Sequence, residues 1–329
     1  MLVTHLTAMS QSARRFAQLA SGESWWDEMS ARQLRRALSE TAQAATLVYA
    51  RQVQGHARVC YELQRESGAQ EQAEELRLMT RRTLDLPMML ERVAYGRVVL
   101  AEMPLWQAEC ACAGRGRDGS EISGDSVLMM PLDGGRYLAV MSDGMGHGEV
   151  ARRESCHTVE LLRLCLEAGY TRQQALTAVN GMMILSSRGE RFATVDMAMA
   201  DLWTGRLQMD KQGAAASWLI RGREMQEITG DGLPLGMVEE MDSEGIILRL
   251  KEGDQLIMMT DGVEEAFEDR ETLREALMLS ADATDASAAA WSLLNAAAQG
   301  EGQGGHDDRT VAVMRFSKTL TVQAARETV

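Results

Sequence analysis

The pattern of apolar and polar positions changes near residue 97. Before it, Ala, Leu, Arg, Glu and Gln dominate and Pro occurs only at Pro87. Apolar residues recur near helical spacing in ARQLRRALSETAQAATLVYARQVQ, and this predicts a helix there. Further helices are predicted over about 61–82 and 87–95. We therefore expect residues 1–97 to form a helical region that regulates the rest of the chain or dimerises it.

From residue 98, short runs of strand type alternate with Gly-rich turns. SVLMMPL and RYLAVMS flank Asp133-Gly134-Gly135, which is a hairpin signature. Helical patterns return over 149–187 and 271–298, and strand-like runs lie between and after them. This order predicts an α+β fold, with antiparallel sheets and helices packed outside, over residues 98–318. Residues 319–329 are predicted to be a tail.

The charge of the chain narrows its possible partners. Its 329 residues contain 34 Lys and Arg against 48 Asp and Glu, a formal net charge of -14. Nucleic-acid binding needs a basic surface, and anionic membranes repel acidic proteins, so neither partner is expected. Residues 1–107 carry 13 Arg, no Lys and 12 acids, so the acidity belongs to the second part of the chain. Cation chemistry is therefore expected there.

The sequence shows no membrane-spanning run, no signal peptide and no cysteine pattern typical of a disulfide framework or a metal site. No apolar run reaches the roughly 18 residues of a membrane span, and the N-terminus lacks the features of a signal peptide. The five cysteines form no C-x-x-C pair and favour free thiols. We expect a cytoplasmic location, either as a soluble protein or as the soluble part of a membrane-attached protein.

Two aspartates flank the predicted hairpin. Asp125 precedes its first strand and Asp143 follows its second, and each lies eight positions from the turn, at Asp133 and Gly135 respectively. In an antiparallel hairpin, the start of one strand lies beside the end of the other. We therefore expect the Asp125 and Asp143 side chains to meet at one end of the sheet.

The same argument applies to a second group of acids. Asp261 follows the apolar run QLIMMT, and Asp307 and Asp308 precede TVAVMRF. These acids converge if the two strands are antiparallel neighbours. Several carboxylates in one place repel one another unless a cation neutralises them, and oxygen ligands favour Mg²⁺ or Mn²⁺. Two such ions about 3.5–4 Å apart are typical of enzymes that hydrolyse phosphate esters, and Gly144 would let a backbone carbonyl approach an ion.

The sequence lacks the motifs of other enzymes that act on phosphate groups. A cysteine-nucleophile phosphatase needs Arg six positions after the Cys. The residues at those positions are Glu66, Gly116, Asp118, Leu162 and Thr171. The sequence has no G-x-x-x-x-G-K-[ST] loop and no H-E-x-x-H motif.

Four motifs together resemble the PPM-type metal-dependent serine/threonine phosphatases. They are SGDS (123–126), SDGMGHG (142–148), TDG (260–262) and DDRT (307–310), and they occur in the order of that family. Within it, the chain resembles the bacterial branch of stage II sporulation protein E, which the GAAA and SWLIRG segments from Gly213 and the GLPLGM segment (232–237) also favour. The resemblance covers about residues 98–316.

The resemblance implies a four-layer α/β/β/α sandwich of two antiparallel sheets that binds two Mn²⁺ or Mg²⁺ ions at one edge. Its metal ligands would be Asp125, Asp143, Asp261 and Asp307, with the carbonyl of Gly144. Asp307 is chosen over Asp308 because the first acid of that motif is the ligand in the family. Asp125 and Asp143 would also serve the catalytic centre.

The implied reaction is hydrolysis of phosphoserine or phosphothreonine by a metal-activated water, with no side-chain nucleophile. The implied substrate is a phosphorylated regulatory protein, an anti-anti-sigma factor in this branch, and homodimerisation would use the N-terminal region. The alternative is a catalytically weak binding module that keeps the phosphatase fold as a regulatory scaffold. The chain also departs from the family pattern: it has no clear equivalent of the early phosphate-gripping Arg, for which Arg115 and Arg117 are candidates, and it has His147 where relatives often have a small or polar residue.

Overall fold

A computed structural model describes most of the chain: residues 24–41, 43–53, 55–65, 67–117, 120, 122–132, 134–144, 146, 148–187, 192–239, 245–299 and 307–319. His147 and residues 320–329 of the predicted tail lie outside the described residues. The contacts divide the chain after Pro104 rather than after residue 97. Leu105–Lys318 form the second unit, and the described residues up to Pro104, together with Thr319, form the first.

The first unit is an α/β layer rather than a helical region. Its five strands are ordered β1-β2-β3-β5-β4, every neighbouring pair is antiparallel, and two helices pack on the sheet. The elements are β1 (Ser24–Trp26), α1 (Glu28–Thr41), β2 (Ala45–Val53), β3 (His56–Leu63), α2 (Ala69–Leu84), β4 (Met88–Ala94) and β5 (Arg97–Glu102). Leu34, Tyr61, Leu76 and Leu100 are fully buried in its core.

The prediction of a helical region over residues 1–97 is therefore wrong for the described residues. The first predicted helix ends at Thr41, and its second half, ATLVYARQV, is strand β2. This segment contains β-branched and aromatic residues and gains a partner in β3, so pairing overrides the helical composition of its neighbours. Gly55 has a φ of 86° and lies in the turn between β2 and β3.

The second unit contains two five-stranded sheets whose neighbouring strands are all antiparallel. One has the order β13-β10-β9-β8-β7 and the other the order β12-β11-β14-β15-β6. The strands are β6 (Trp106–Arg115), β7 (Asp125–Leu132), β8 (Arg136–Asp143), β9 (Val195–Asp201), β10 (Arg206–Gln212), β11 (Ser217–Arg221), β12 (Glu224–Ile228), β13 (Ile246–Arg249), β14 (Gln255–Met259) and β15 (Arg309–Lys318).

Helices cover the outer face of each sheet. The elements are α3 (Gly148–Glu167), α4 (Arg172–Ser187), the short α5 (Asp261–Glu264), α6 (Arg270–Ala281) and α7 (Ala286–Gln299). One apolar core packs α3 and α4 on the β7–β10 sheet, a second packs α6 and α7 on the other sheet, and a third fills the space between the sheets. The predicted four-layer α/β/β/α sandwich is thereby confirmed.

Residues 98–102 belong to the first unit, because β5 pairs with β3 and β4. The sandwich begins later, with β6 at Trp106. At the other end of the chain, Thr319 is buried in the first unit and its hydroxyl donates a hydrogen bond to the carbonyl of Pro104. Within the described residues, no helix has the length and apolar character needed to cross a membrane.

Candidate metal centre

The first predicted pair of carboxylates lies at one sheet end. Asp125 opens β7, Asp143 closes β8, and the two residues are paired directly across the hairpin. Leu132 pairs with Arg136 at the other end of the hairpin, so the two arms are equal in length, as the sequence predicted. Asp125 is buried, with 7% of its surface exposed, so its carboxylate lies inside the fold.

The second pair arrives from the other sheet. Strands β14 and β15 are antiparallel neighbours, so Asp261, just after β14, and Asp307, just before β15, lie at the same end. Gly262 lies next to both acids. Its N–H donates a hydrogen bond to Asp261 Oδ1 at 2.8 Å, and a Cβ added to it would lie 3.2 Å from the Cβ of Asp307. The predicted convergence of these two strands is confirmed.

Threonine side chains join the two sheets at this point. The hydroxyl of Thr260 donates to Asp125 Oδ2 at 3.1 Å and accepts a hydrogen bond from the N–H of Thr310 at 3.0 Å. The Thr310 side chain also lowers the pKa of Asp125. Since Asp125 belongs to one sheet and both threonines to the other, these bonds fix the carboxylate between the sheets. The sequence analysis missed both threonines.

The carboxylates influence one another strongly. Burial raises the pKa of Asp143 to about 8, and repulsion from Asp125, Asp261 and Asp307 contributes to the rise. Burial also raises the pKa of Asp125 to about 6, although its hydrogen bonds from the threonines oppose the rise. The pKa of Asp261 is raised, first by burial. A divalent cation would remove this penalty, because its charge favours the ionised form of every ligand.

Asp308 has a different role from Asp307. It is buried, its Oδ1 accepts a hydrogen bond from the N–H of Arg117 at 2.7 Å, and its Oδ2 accepts one from the N–H of Gly124 at 2.5 Å. Both its oxygens are thus engaged in holding the loop that precedes Asp125. Asp307 is exposed, and within the described part of the chain its Oδ1 accepts a hydrogen bond only from the N–H of Asp308. This division of roles agrees with Asp307 as the candidate ligand.

Helix α3 packs closely on the two loops that carry the hairpin acids. A Cβ on Gly144 would collide with the backbone carbonyl of Ala151, and one on Gly124 would lie 2.9 Å from the Cβ of Ala151. The hydroxyl of Ser155 donates to the carbonyl of Gly124 at 2.5 Å. Glycine is therefore required at position 144 for helix and loop to approach, in addition to any contact of its carbonyl with an ion.

Thr194 forms two hydrogen bonds with the backbone of Asp143. Its hydroxyl accepts a hydrogen bond from the N–H of Asp143 at 3.0 Å, and its own N–H donates to the carbonyl of Asp143 at 3.0 Å. The next residue, Gly144, forms an isolated bridge with Ala193, which in turn bridges Leu235. Position 143 is thus fixed by backbone pairing from the segment 193–194, which the sequence motifs did not identify.

A small cleft opens beside these acids. Besides Asp143 and Asp261, its lining includes a third acid, Asp196, which the sequence analysis did not select. The lining residues are Met141, Asp143, Thr194, Asp196, Gly213, Ala214, Ala215, Met259, Thr260 and Asp261. The predicted landmark at Gly213 thus forms one wall of the candidate site.

The donor set fits divalent cations with oxygen ligands. Asp125 Oδ1 is buried without a hydrogen-bond partner in the described structure, so it is free to ligate. Within that part of the chain, no three His, Cys, Asp or Glu side chains are grouped tightly enough to hold an ion by themselves. We therefore expect backbone carbonyls and water to complete the coordination, as is usual for Mg²⁺.

The remaining candidates are Arg115, Arg117 and His147. Arg115 is the exposed last residue of β6 and pairs with Arg309. Arg117 lies near the site, because its N–H is bound to Asp308. A phosphate-gripping role for either arginine stays a prediction, and His147 lies outside the described residues.

The raised pKa of Asp143 predicts how stability depends on pH when divalent cations are chelated. Between about pH 4 and pH 8, the folded chain retains a proton on Asp143 that the unfolded chain releases, so the free energy of unfolding falls as pH rises. We expect the unfolding temperature in EDTA to drop by roughly 5 °C from pH 6 to pH 9 because of this residue. Thermal denaturation followed by circular dichroism tests this. Asp143→Asn should flatten the profile, and an unchanged slope in that variant would contradict the assignment.

Comparison with known families agrees with this geometry. The family model described as stage II sporulation protein E (SpoIIE) matches residues 133–317, more than half of the chain. The chain belongs to the stage II sporulation protein E family. This confirms the resemblance predicted from the SGDS, SDGMGHG, TDG and DDRT motifs, and it supports the predicted enzyme class, protein serine/threonine phosphatase.

The chain matches only part of the length of two curated members of the family. Stage II sporulation protein E of Bacillus subtilis (strain 168) is 34% identical over 169 residues, which are 51% of this chain and 20% of that protein. The protein of the same name from Priestia megaterium is 37% identical over 147 residues, 45% of this chain and 25% of that protein. The chain thus matches about a fifth to a quarter of these SpoIIE proteins.

Solved structures show the same fold. The phosphatase domain of the cell fate determinant SpoIIE from Bacillus subtilis, in a crystal form without domain swapping, is 28% identical, covers 66% of this chain and 96% of that one, and has a TM-score of 0.52. The structure of the PP2C phosphatase domain with a fragment of the regulatory domain of the same SpoIIE is 24% identical, covers 97% and 96%, and has a TM-score of 0.67. The sandwich of this SpoIIE-family chain is therefore a PP2C phosphatase fold.

Proposed function

We propose that the chain is a metal-dependent protein phosphatase that hydrolyses phosphoserine or phosphothreonine. The observation that carries this proposal is the convergence of carboxylates from both sheets on Asp143, which is paired with Asp125 in one sheet and repelled by Asp261 and Asp307 from the other. Asp143 and Asp261 line the cleft. Divalent metal dependence follows from the fold family and from the oxygen donors. Two Mn²⁺ or Mg²⁺ ions are the proposed number and kind.

The proposed ligands are Asp125, Asp143, Asp261 and Asp307, with the carbonyl of Gly144. When bound, the ions would lower the pKa of a water molecule and polarise the phosphoryl oxygens. The other residues at the site hold these ligands in place: Thr260 orients Asp125, Thr194 fixes Asp143, and Asp308 anchors the loop before Asp125. No side-chain nucleophile is needed, and all five cysteines are free thiols.

The proposed substrate is a phosphorylated regulatory protein of the anti-anti-sigma factor type. Family membership supports this choice. The RsbU and RsbW domains of Rv1364c from Mycobacterium tuberculosis share the fold (22% identity, TM-score 0.57). A role in sporulation or sigma-factor regulation, and a cytoplasmic location, belong to the same proposal. Homodimerisation or regulation through the first unit also remains a prediction, now for a five-stranded sheet with two helices instead of a helical region.

The alternative, a phosphatase fold that serves only as a binding scaffold, is less well supported. Such a module has no need to keep a metal centre, yet all four acids are present and lie at the ends of paired strands. Burial of these acids and their mutual repulsion destabilise the fold in the absence of a cation, as the raised pKa of Asp143 indicates. A group that opposes folding in this way is more typical of an active site than of a scaffold.

Metal-dependent turnover tests the proposal. We expect the chain to hydrolyse p-nitrophenyl phosphate and a phosphoserine peptide in Mn²⁺ and to lose at least about 100-fold in rate in EDTA, because the carboxylates alone cannot activate water. Added Mn²⁺ in excess of the chelator should restore the rate. Turnover that survives chelation would contradict the metal-dependent mechanism, and binding of Mn²⁺ without any turnover would favour the scaffold.

A further inference from the structure

A buried charged network links the two sheets beneath the cleft. Lys211 Nζ lies 2.6 Å from Asp196 Oδ2 and donates to Ser217 Oγ at 2.9 Å, and the Ser217 hydroxyl donates to the same Asp196 oxygen. The Lys211 and Asp196 side chains are 0% and 1% exposed. Asp196 and Lys211 are cross-strand partners on β9 and β10, whereas Ser217 opens β11 of the opposite sheet.

This network lies at the candidate site. Asp196 lines the same cleft as Asp143 and Asp261, and its other cross-strand neighbour, Met141, comes two residues before Asp143. The chain continues from Lys211 into the Gly213–Ala215 segment, which forms part of the cleft wall. Asp196 is therefore a carboxylate of the cleft that the metal-ligand motifs do not include.

Stability alone gives a weak reason for such a pair. Taking two charges out of water costs as much as their attraction returns, so buried ion pairs often contribute little to folding. In addition, Asp196 Oδ1 is buried and has no hydrogen-bond partner among the described residues, although Oδ2 has two. A buried oxygen without a partner destabilises a fold, so its presence calls for an explanation.

Both hydrogen bonds to the Asp196 carboxylate use Oδ2, so Oδ1 is the oxygen available to bind a molecule in the cleft. Lys211 balances the charge of the carboxylate, and Ser217 holds its orientation from the second sheet. A carboxylate fixed in this way is suited to accept a hydrogen bond from a water molecule, since two anchored contacts prevent it from turning away.

We propose that Asp196 is a catalytic residue whose Oδ1 accepts a hydrogen bond from the attacking water, with Lys211 and Ser217 as its positioning residues. This inference rests on the proposed phosphatase function. In the reaction, the water oxygen bonds to phosphorus and the bond from phosphorus to the serine oxygen breaks. One water proton ends on the serine oxygen and the other remains on inorganic phosphate. Asp196 orients the water for this displacement and is not a metal ligand.

The double variant Asp196→Asn with Lys211→Met tests the proposal, because it removes the carboxylate without leaving a buried lysine unpaired. We expect kcat for p-nitrophenyl phosphate to fall about 100-fold while KM changes less than about threefold, since orientation and not binding is lost. Calorimetry should give a Mn²⁺ affinity within about threefold of the parent chain. The thermal unfolding midpoint, with and without Mn²⁺, reports whether the variant folds.

The matched control is Arg172→Met with Asp210→Asn. This pair joins the start of α4 to β10, with side chains 15% and 1% exposed, and it does not line the cleft. We expect near-parental kcat from it. An equal loss in both double variants would overturn the proposal, because it would show a general effect of removing a buried ion pair.

Three further results would also overturn it. They are a parental kcat in the Asp196 variant, a tenfold loss of Mn²⁺ affinity that parallels the loss of kcat, and an unaffected kcat in Ser217→Ala. The last variant keeps the charge pair, and it decides the question if the double variant does not fold; we expect about a fivefold lower kcat from it. An inactive parent chain would overturn the proposed function together with this inference, whereas an active parent with an equally active Asp196 variant would overturn the inference alone.

Discussion

Replacing Asp143 with asparagine is expected to reduce Mn²⁺-dependent turnover by roughly 1,000-fold, equivalent to about 4 kcal/mol of transition-state stabilisation. Asp143 is the acid on which the others act: burial and repulsion from Asp125, Asp261 and Asp307 all raise its pKa. An amide is a weaker ligand and carries no charge to attract a cation. Turnover of p-nitrophenyl phosphate and calorimetric titration with Mn²⁺ would measure both losses.

Asp201→Asn is the matched control for this change. Asp201 closes β9 and pairs with Arg136, so it lies at the opposite end of the same sheet from Asp143. Its carboxylate accepts hydrogen bonds within its own turn, from Trp203 and Thr204. We expect parental turnover and Mn²⁺ affinity from this variant. Full activity in Asp143→Asn would exclude Asp143 as a metal ligand.

The pairing of the acids could be predicted because local patterns determine it. The equal spacing of Asp125 and Asp143 from the intervening turn predicts that they pair, since the position of the turn fixes the register of a hairpin. Asp261 and Asp307 required an additional assumption, that β14 and β15 are neighbours, which 49 intervening positions do not reveal. The family motifs supplied that link.

The first unit could not be predicted in the same way. Residues 45–53 and 56–63 have a composition that suits helices nearly as well as strands, and only their mutual pairing decides between the two. Helix propensity is a weak guide where tertiary partners are available. The boundary between the two units was predicted too early for the same reason. In the sequence, β5 looks like the first strand of the sandwich, and only its pairing with β3 and β4 assigns it to the first unit.

The polar contacts around the acids were also beyond the sequence patterns. Thr260 and Thr194 each bond to an acid that lies far along the chain, and Asp196 faces the cleft from a strand that reads as apolar. The Thr260 contact depends on how the two sheets stack, and the Thr194 contact depends on the pairing of β9 with β8. A single sequence identifies residues at strand ends well, but it does not identify the side chains that reach across between sheets.

The close contact between α3 and the Asp143 loop leads to the last prediction. We expect Gly144→Ala to lower turnover at least about 100-fold and to weaken Mn²⁺ binding, because a Cβ at this position would overlap the carbonyl of Ala151 and lie 2.7 Å from its carbonyl carbon. These are backbone atoms of a helix, so no side-chain rearrangement can relieve the overlap. The loop must shift, and Asp143 shifts with it. Turnover and calorimetry with Mn²⁺ would detect the change.

Gly181→Ala is the matched control, since Gly181 lies within α4 and an added Cβ would meet no atom within 4 Å. Alanine should stabilise the helix there by roughly 0.5–1 kcal/mol and leave turnover unchanged. Gly124→Ala should fall between the two, because its Cβ would meet side-chain atoms of Asp308 and Ala151 at 2.8 and 2.9 Å and no backbone atom as close as the Ala151 carbonyl is to position 144. Equal turnover in all three variants would show that the packing of α3 does not position Asp143. A graded loss would show that the metal centre depends on how closely this helix approaches.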